Sequence, residues 1–78
     1  MTEIDLDARG LLCPLPVLKL RKRLQSLAPG ACLNLLADDP MAEIDVPHFC
    51  TENGHALLET RAEHGARLYV VRKGTPQD

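Results

Sequence analysis

The stretch with chemical potential is Asp7-Ala8-Arg9-Gly10-Leu11-Leu12-Cys13-Pro14-Leu15-Pro16, where one thiol stands directly before two alternate prolines. A residue preceding proline is steered away from helical angles, so the sequence predicts Cys13 as the extended cap of a helix and Pro14 as its first helical residue. First-turn amides have no partner inside a helix, and Pro14 and Pro16 therefore fit there at little cost. The amides of Leu15 and Val17 are then the donors nearest the sulfur, and a helix start favours an anion. Cysteines so placed have pKa values of roughly 3.5 to 7.5 rather than about 8.5, which predicts a readily ionised Cys13. A second reading stays open on local grounds, with Cys13 a small apolar residue and Cys-Pro-Leu-Pro simply a helix start. Cysteine is a poor neutral cap beside serine or aspartate, and this weighs toward chemistry.

The elements that must position this thiol are legible on both sides of it. Glu3-Ile4-Asp5-Leu6-Asp7 alternates apolar and acidic residues and predicts a first strand with one wet face. Gly10 supplies a turn, and from Pro14 to Leu27 the positions Val17, Leu20, Leu24 and Leu27 follow helical spacing, with Leu15 and Leu18 broadening the stripe. Pro29-Gly30 ends that helix, and Ala31 to Ala37 reads as a buried strand parallel to the first. Asp38-Asp39-Pro40 opens a loop, Asp45 and Pro47 mark the start of a second helix, and Asn53-Gly54 closes it. Ala56 to Ala62 and Arg67 to Lys73 form a hairpin around Glu63-His64-Gly65-Ala66. The expected fold is α/β: a two-layer sandwich of order β-α-β-α-β-β, with two helices on one face of a four-stranded mixed sheet and residues 1–78 as a single domain.

Composition narrows the function. A chain of 78 residues buries only about 60% of its unfolded surface, which argues against a deep cofactor cavity. The net charge of −2 weighs against a general polyanion binder. Residues 1–37 carry five basic and three acidic side chains and residues 38–78 four basic and eight acidic ones, so one surface is expected to be basic. The acidic start lacks a basic segment and an apolar run, and no stretch approaches membrane-spanning length, which predicts a cytoplasmic chain. Cys13, Cys32 and Cys50 form no Cys-x-x-Cys pair and begin as free thiols in a reducing compartment.

Taken together, Leu6-Asp7, Gly10-Leu11, Cys13-Pro14-Leu15-Pro16, Asp38-Asp39-Pro40, Asp45-Val46-Pro47, Phe49-Cys50 and Val71-Arg72-Lys73-Gly74 resemble the TusA, or SirA-like, family of sulfur carriers across nearly the whole chain. The resemblance implies a cysteine, here Cys13, that accepts sulfane sulfur as a persulfide from a cysteine desulfurase or rhodanese-like donor and passes it to a downstream relay protein. In one branch the sulfur reaches the wobble uridine of transfer RNA; other branches serve molybdenum-cofactor synthesis or sulfur oxidation. Such thiol-to-persulfide exchange needs neither metal nor organic cofactor. Many family members place a basic residue directly before the cysteine, whereas this chain has Leu12, which leaves activation more dependent on the helix terminus.

Other residues carry weaker signals. Arg9 is either a nearby positive charge or a solvated loop arginine, and Lys19, Arg21, Lys22 and Arg23 are either a docking surface for an acidic partner or a solvated helix face. Cys32 and Cys50 read as buried packing residues, and His48 and His55 as surface histidines whose spacing with Cys50 matches no zinc pattern. Asp38, Asp39 and Asp45 read as turn and cap residues with no placement beside Cys13. A monomer without direct nucleic-acid contact is expected. The competing functions are a regulatory or RNA-binding module, disfavoured by the scarcity of aromatics, and a redox sensor, disfavoured by the lack of a nearby resolving cysteine.

Overall fold

A computed structural model describes residues 3–75, so Met1 and Thr2 of the acidic start lie outside the described residues. The elements run β1 (Leu6–Asp7), α1 (Leu15–Gln25), β2 (Cys32–Ala37), α2 (Ala42–Asn53), β3 (Ala56–Glu63) and β4 (Ala66–Arg72). The four strands form one mixed sheet in the order β1-β2-β4-β3, with β1 parallel to β2 and the other pairs antiparallel. This is the predicted α/β architecture. The first strand is shorter than its alternation suggests, although the Asp5 amide still reaches the Asn34 carbonyl at 3.0 Å and the Ala8 amide the Leu36 carbonyl at 2.7 Å.

Helical periodicity builds one layer of the core and strand alternation the other. Leu20 and Leu24 of α1 and Val46, Phe49 and Cys50 of α2 pack onto Leu33, Leu35, Tyr69 and Val71 of the sheet. Leu15 and Leu18 do not extend this stripe, since they lie 46% and 50% exposed. They lie off the face of Val17, Leu20, Leu24 and Leu27 that packs on the core. Cys32 is likewise exposed rather than buried. Leu33, Leu35 and Ala37 face the helices, so alternation turns Cys32 and Asn34 to the opposite side.

The second helix begins at Ala42, three residues before the predicted capping Asp45. Its head is held by Asp39, whose Oδ1 accepts the Met41 amide at 3.2 Å, and Asp45 and Pro47 therefore lie inside the helix. At the other end Gly54 closes it in a left-handed conformation, with its amide donating to the Cys50 carbonyl. His55 is half-buried instead of lying on the surface; its ring sits 5.5 Å from that of Phe49, and its Nδ1 accepts the Gly74 amide at 3.0 Å.

Tyr69 is 1% exposed, and its hydroxyl has no hydrogen-bond partner among the described residues. Burial pushes the phenol up to about 12, with Glu43 adding to the effect. An unmade hydrogen bond in the interior costs on the order of 1–3 kcal/mol, so removing the hydroxyl removes a penalty. Tyr69→Phe is accordingly expected to melt at or above the native temperature. A clear fall in its midpoint would show that the hydroxyl has a favourable partner.

Candidate functional site

Cys13 is exposed and sits in the loop joining β1 to α1. Gly10 starts this loop at φ 81°, a left-handed angle that disfavours residues with a Cβ. The helix begins one residue later than predicted, with Pro14 as its cap and Leu15 as its first residue. The Cys13–Pro14 peptide is cis. A turn closed by the Leu15 amide on the Leu12 carbonyl, at 2.8 Å, occupies the stretch that the local pattern gave to the cap.

The carboxylates read as turn residues prove to hold this loop. The Gly10 amide donates to Asp38 Oδ1 at 3.0 Å, and the Cys13 amide donates to Asp39 Oδ2 at 2.6 Å. Asp39 thus joins the head of α2 to the backbone of the cysteine, with its second oxygen on Met41. Beside the sulfur lies an open, mostly apolar groove of about 350 Å³ between the helices, lined by Cys13, Pro14, Val17, Asp45, His48, Phe49, Glu52 and Asn53. Asp45 shares this groove with Cys13, and its carboxylate raises the pKa of the thiol. Pro16, by contrast, is buried beneath the first turn of α1.

These contacts reverse the expected acidity. The neighbouring Asp45 side chain, partial desolvation and the negative charges of Asp45 and Asp39 hold the Cys13 thiol above its ordinary range. The Leu15 amide, one of the two expected donors, is already engaged by Leu12. These groups therefore oppose the thiolate that the helix start suggested. Neighbouring carboxylates disfavour a sulfur anion, and the nearest donor of the helix end is occupied.

Arg9 does not supply the missing positive charge. Its Nε and Nη2 donate to Asp7 at 3.0 and 2.8 Å, and its amide reaches the same carboxylate at 3.1 Å. The side-chain hydrogen bonds from Arg9 hold the Asp7 carboxyl down at about 2 instead of 3.8. A depressed carboxyl favours the fold while it is ionised, and that contribution disappears as pH falls from 3.8 through about 2. NMR titration is expected to find the Asp7 carboxyl at about 2 and to find it back in the ordinary range in Arg9→Ala. An unchanged titration would place the cause elsewhere.

Lys19, Lys22 and Arg23 are exposed along α1 and are not among the groove-lining residues. His48 is exposed and pairs with Glu52 one turn along, at 3.8 Å. Cys50 is buried, and burial pushes its thiol up to about 11. Among the described residues no group of three His, Cys, Asp or Glu side chains is arranged to hold a metal ion. Nor is any described helix long and apolar enough to cross a membrane.

The sequence profile of the family described as Sulfurtransferase TusA matches residues 4–73. The chain belongs to the TusA family. A relative called Sulfur carrier protein TusA, from Pseudomonas paraeruginosa, is 47% identical over 68 residues, which cover 87% of this chain and 86% of its own. Another of that name, from Pseudomonas syringae, is 42% identical over 71 residues, covering 91% and 84%. The crystal structure of a SirA-like protein from Desulfitobacterium hafniense superposes with a TM-score of 0.79 at 24% identity, covering 94% of this chain and 100% of its own. That likeness establishes the fold, and the resemblance to the TusA family read from the cysteine motif stands. Asp38, Asp39 and Asp45, which sequence reasoning read as turn and cap residues away from Cys13, fall within motifs that carry the resemblance.

Proposed function

We propose that the chain is a single-domain sulfur carrier in which Cys13 takes a sulfane sulfur from a cysteine desulfurase or rhodanese-like donor, holds it as a persulfide and passes it to a relay protein. The observation that carries this reading is the exposed Cys13 on an open groove, in a chain of the TusA family. A carrier must let two partners reach one sulfur in turn, and an exposed loop at the head of a helix permits that. The transfer balances without a cofactor: the Cys13 sulfur bonds the donor's outer sulfur, the donor's sulfur–sulfur bond breaks, and the donor leaves as a thiolate.

Around the thiol the chain leaves apolar surface for partners. Leu12 beside Cys13 is 69% exposed, Leu15 and Leu18 follow it on α1, and Met41 and Ile44 at the head of α2 are 45% and 63% exposed. Exposed side chains of this kind, rimmed by charge, suit transient docking by a monomer. A cytoplasmic setting keeps such a thiol reduced. We assign the route that ends in 2-thiouridine of transfer RNA, with sulfur handed protein to protein and no direct RNA contact.

The test is intact-protein mass after incubation with a cysteine desulfurase and cysteine. A gain of one sulfur, mapped to the Cys13 peptide and removed by reductant, is the expected result. Chasing labelled sulfur from the loaded chain into 2-thiouridine, with relay proteins and transfer RNA added, tests the route. No mass gain with an active desulfurase and a rhodanese would sink the carrier reading, and a gain with no label in the nucleoside would redirect the pathway.

A further inference from the structure

Between the C-terminal half of α1 and the end of α2 lies a second crevice, of about 230 Å³, whose polar lining is Arg21, Gln25, Asn53, His55 and Lys73. No carboxylate lines it, although the chain is acidic overall. Arg21 is exposed, and its side chain has neither a hydrogen bond nor an ion pair among the described residues. The Lys73 ammonium donates to the Leu27 carbonyl at 2.6 Å and keeps its other N–H groups. His55 Nδ1 accepts the Gly74 amide at 3.0 Å, which places the proton of the neutral ring on Nε2. That Nε2–H has no acceptor among the described residues. Burial and the Lys73 charge lower the pKa of the ring, so the neutral donor form is the one present near neutral pH.

Unused donors thus line one crevice from three parts of the chain: α1, the residue that follows the cap of α2, and the residue that follows β4. Two permanent cations with no carboxylate to answer them call for an anion. A planar carboxylate is satisfied by the fork of a single guanidinium, whereas donors from three sides match the spread oxygens of a tetrahedral group. The small volume takes one such group, and the acidic chain is no general polyanion binder. Phe49 and Asn53 line both this crevice and the groove of Cys13, so the two adjoin along the interface of the helices. We propose that the crevice is a binding site for a tetrahedral oxyanion of the phosphate or sulfate type, free or as the head of a small ester, held by Arg21, Lys73 and the Nε2–H of His55. The site goes beyond the sulfur-carrier reading and requires no sulfur transfer.

NMR titration of the full chain with inorganic phosphate, sulfate, glycerol phosphate and acetate, at constant ionic strength and with sodium chloride as reference, tests the site directly. Phosphate is expected to move the side-chain resonances of His55 and Arg21 saturably. It is also expected to raise the His55 pKa by about one pH unit, because an anion at Nε2 favours the imidazolium. Arg21→Gln is expected to weaken phosphate binding by about ten-fold or more. Lys22→Gln removes an exposed charge outside the crevice and is expected to leave binding within about two-fold. Far-UV circular dichroism verifies the fold of both variants. Tighter binding of inorganic phosphate than of glycerol phosphate identifies the free ion as the ligand, and the reverse identifies the ester. Shifts no larger than those from sodium chloride, acetate binding as tightly as phosphate, or equal losses in Arg21→Gln and Lys22→Gln overturn the proposal.

Discussion

Cys13→Ser is expected to take up no sulfur under conditions that load the native chain fully, whereas Cys32→Ser and Cys50→Ser load to the native extent. Each of the three thiols has a different physical standing. Cys50 is buried among core residues and its thiol is pushed up to about 11, so it is both inaccessible and protonated. Cys32 is exposed, and exposure alone would let it react. It sits on the first residue of β2, opposite Arg72, and it is not among the residues of the groove that Cys13 shares with Asp45 and His48. A donor that docks on that groove delivers its sulfur to Cys13. Peptide mapping after desulfurase treatment distinguishes the cases, and substantial label on Cys32 in the Cys13→Ser variant would show that exposure, not the groove, selects the acceptor.

What could be read in advance divides along sequence separation. The hairpin was legible because His64 and Gly65 form its turn with φ of 54° and 72°, angles to which glycine and short polar residues are suited. The parallel pairing of β1 and β2 followed from a strand, a helix and a strand in succession. Exposure of Cys32 was within reach too, since Asn34 marks the wet side of an alternating strand. The carboxylates that hold the Cys13 loop were not, because they are far away in sequence. Asp39 meets the Cys13 amide across 26 positions, and Asp38 meets the Gly10 amide across 28. Local pattern registers a proline-marked helix start and gives no sign of a carboxylate arriving from a distant loop. The same limit explains the start of α2, whose amide acceptor is Asp39 in that loop and not the in-helix Asp45.

Gly74→Ala is expected to be the most damaging single methyl group in the chain. A Cβ at Gly74 would lie 1.8 Å from the Gly54 carbonyl oxygen and 2.8 Å from its carbon, distances that backbone atoms relieve only by moving. The obstacle is not a flexible side chain. Gly54 is the left-handed cap of α2, and its neighbour His55 accepts the Gly74 amide at 3.0 Å. Displacing residue 74 therefore strains a helix end and breaks a hydrogen bond in one step. Overpacking of this kind costs about 1–3 kcal/mol, to which a lost hydrogen bond adds about 1 kcal/mol. In a domain this small, each kcal/mol lowers the melting temperature by roughly 4–8 °C, so a fall of about 10 °C or more is expected by calorimetry. His55 offers an independent handle on the same contact. Burial and the nearby Lys73 lower its pKa, so protonation disfavours the fold and stability drops as pH falls below the ordinary histidine value. If the clasp between residues 54 and 74 is what Gly74→Ala breaks, the variant should lose this part of the acid sensitivity as well as its melting temperature. A variant that melts at the native temperature would mean that the end of β4 yields freely and that the clasp contributes little.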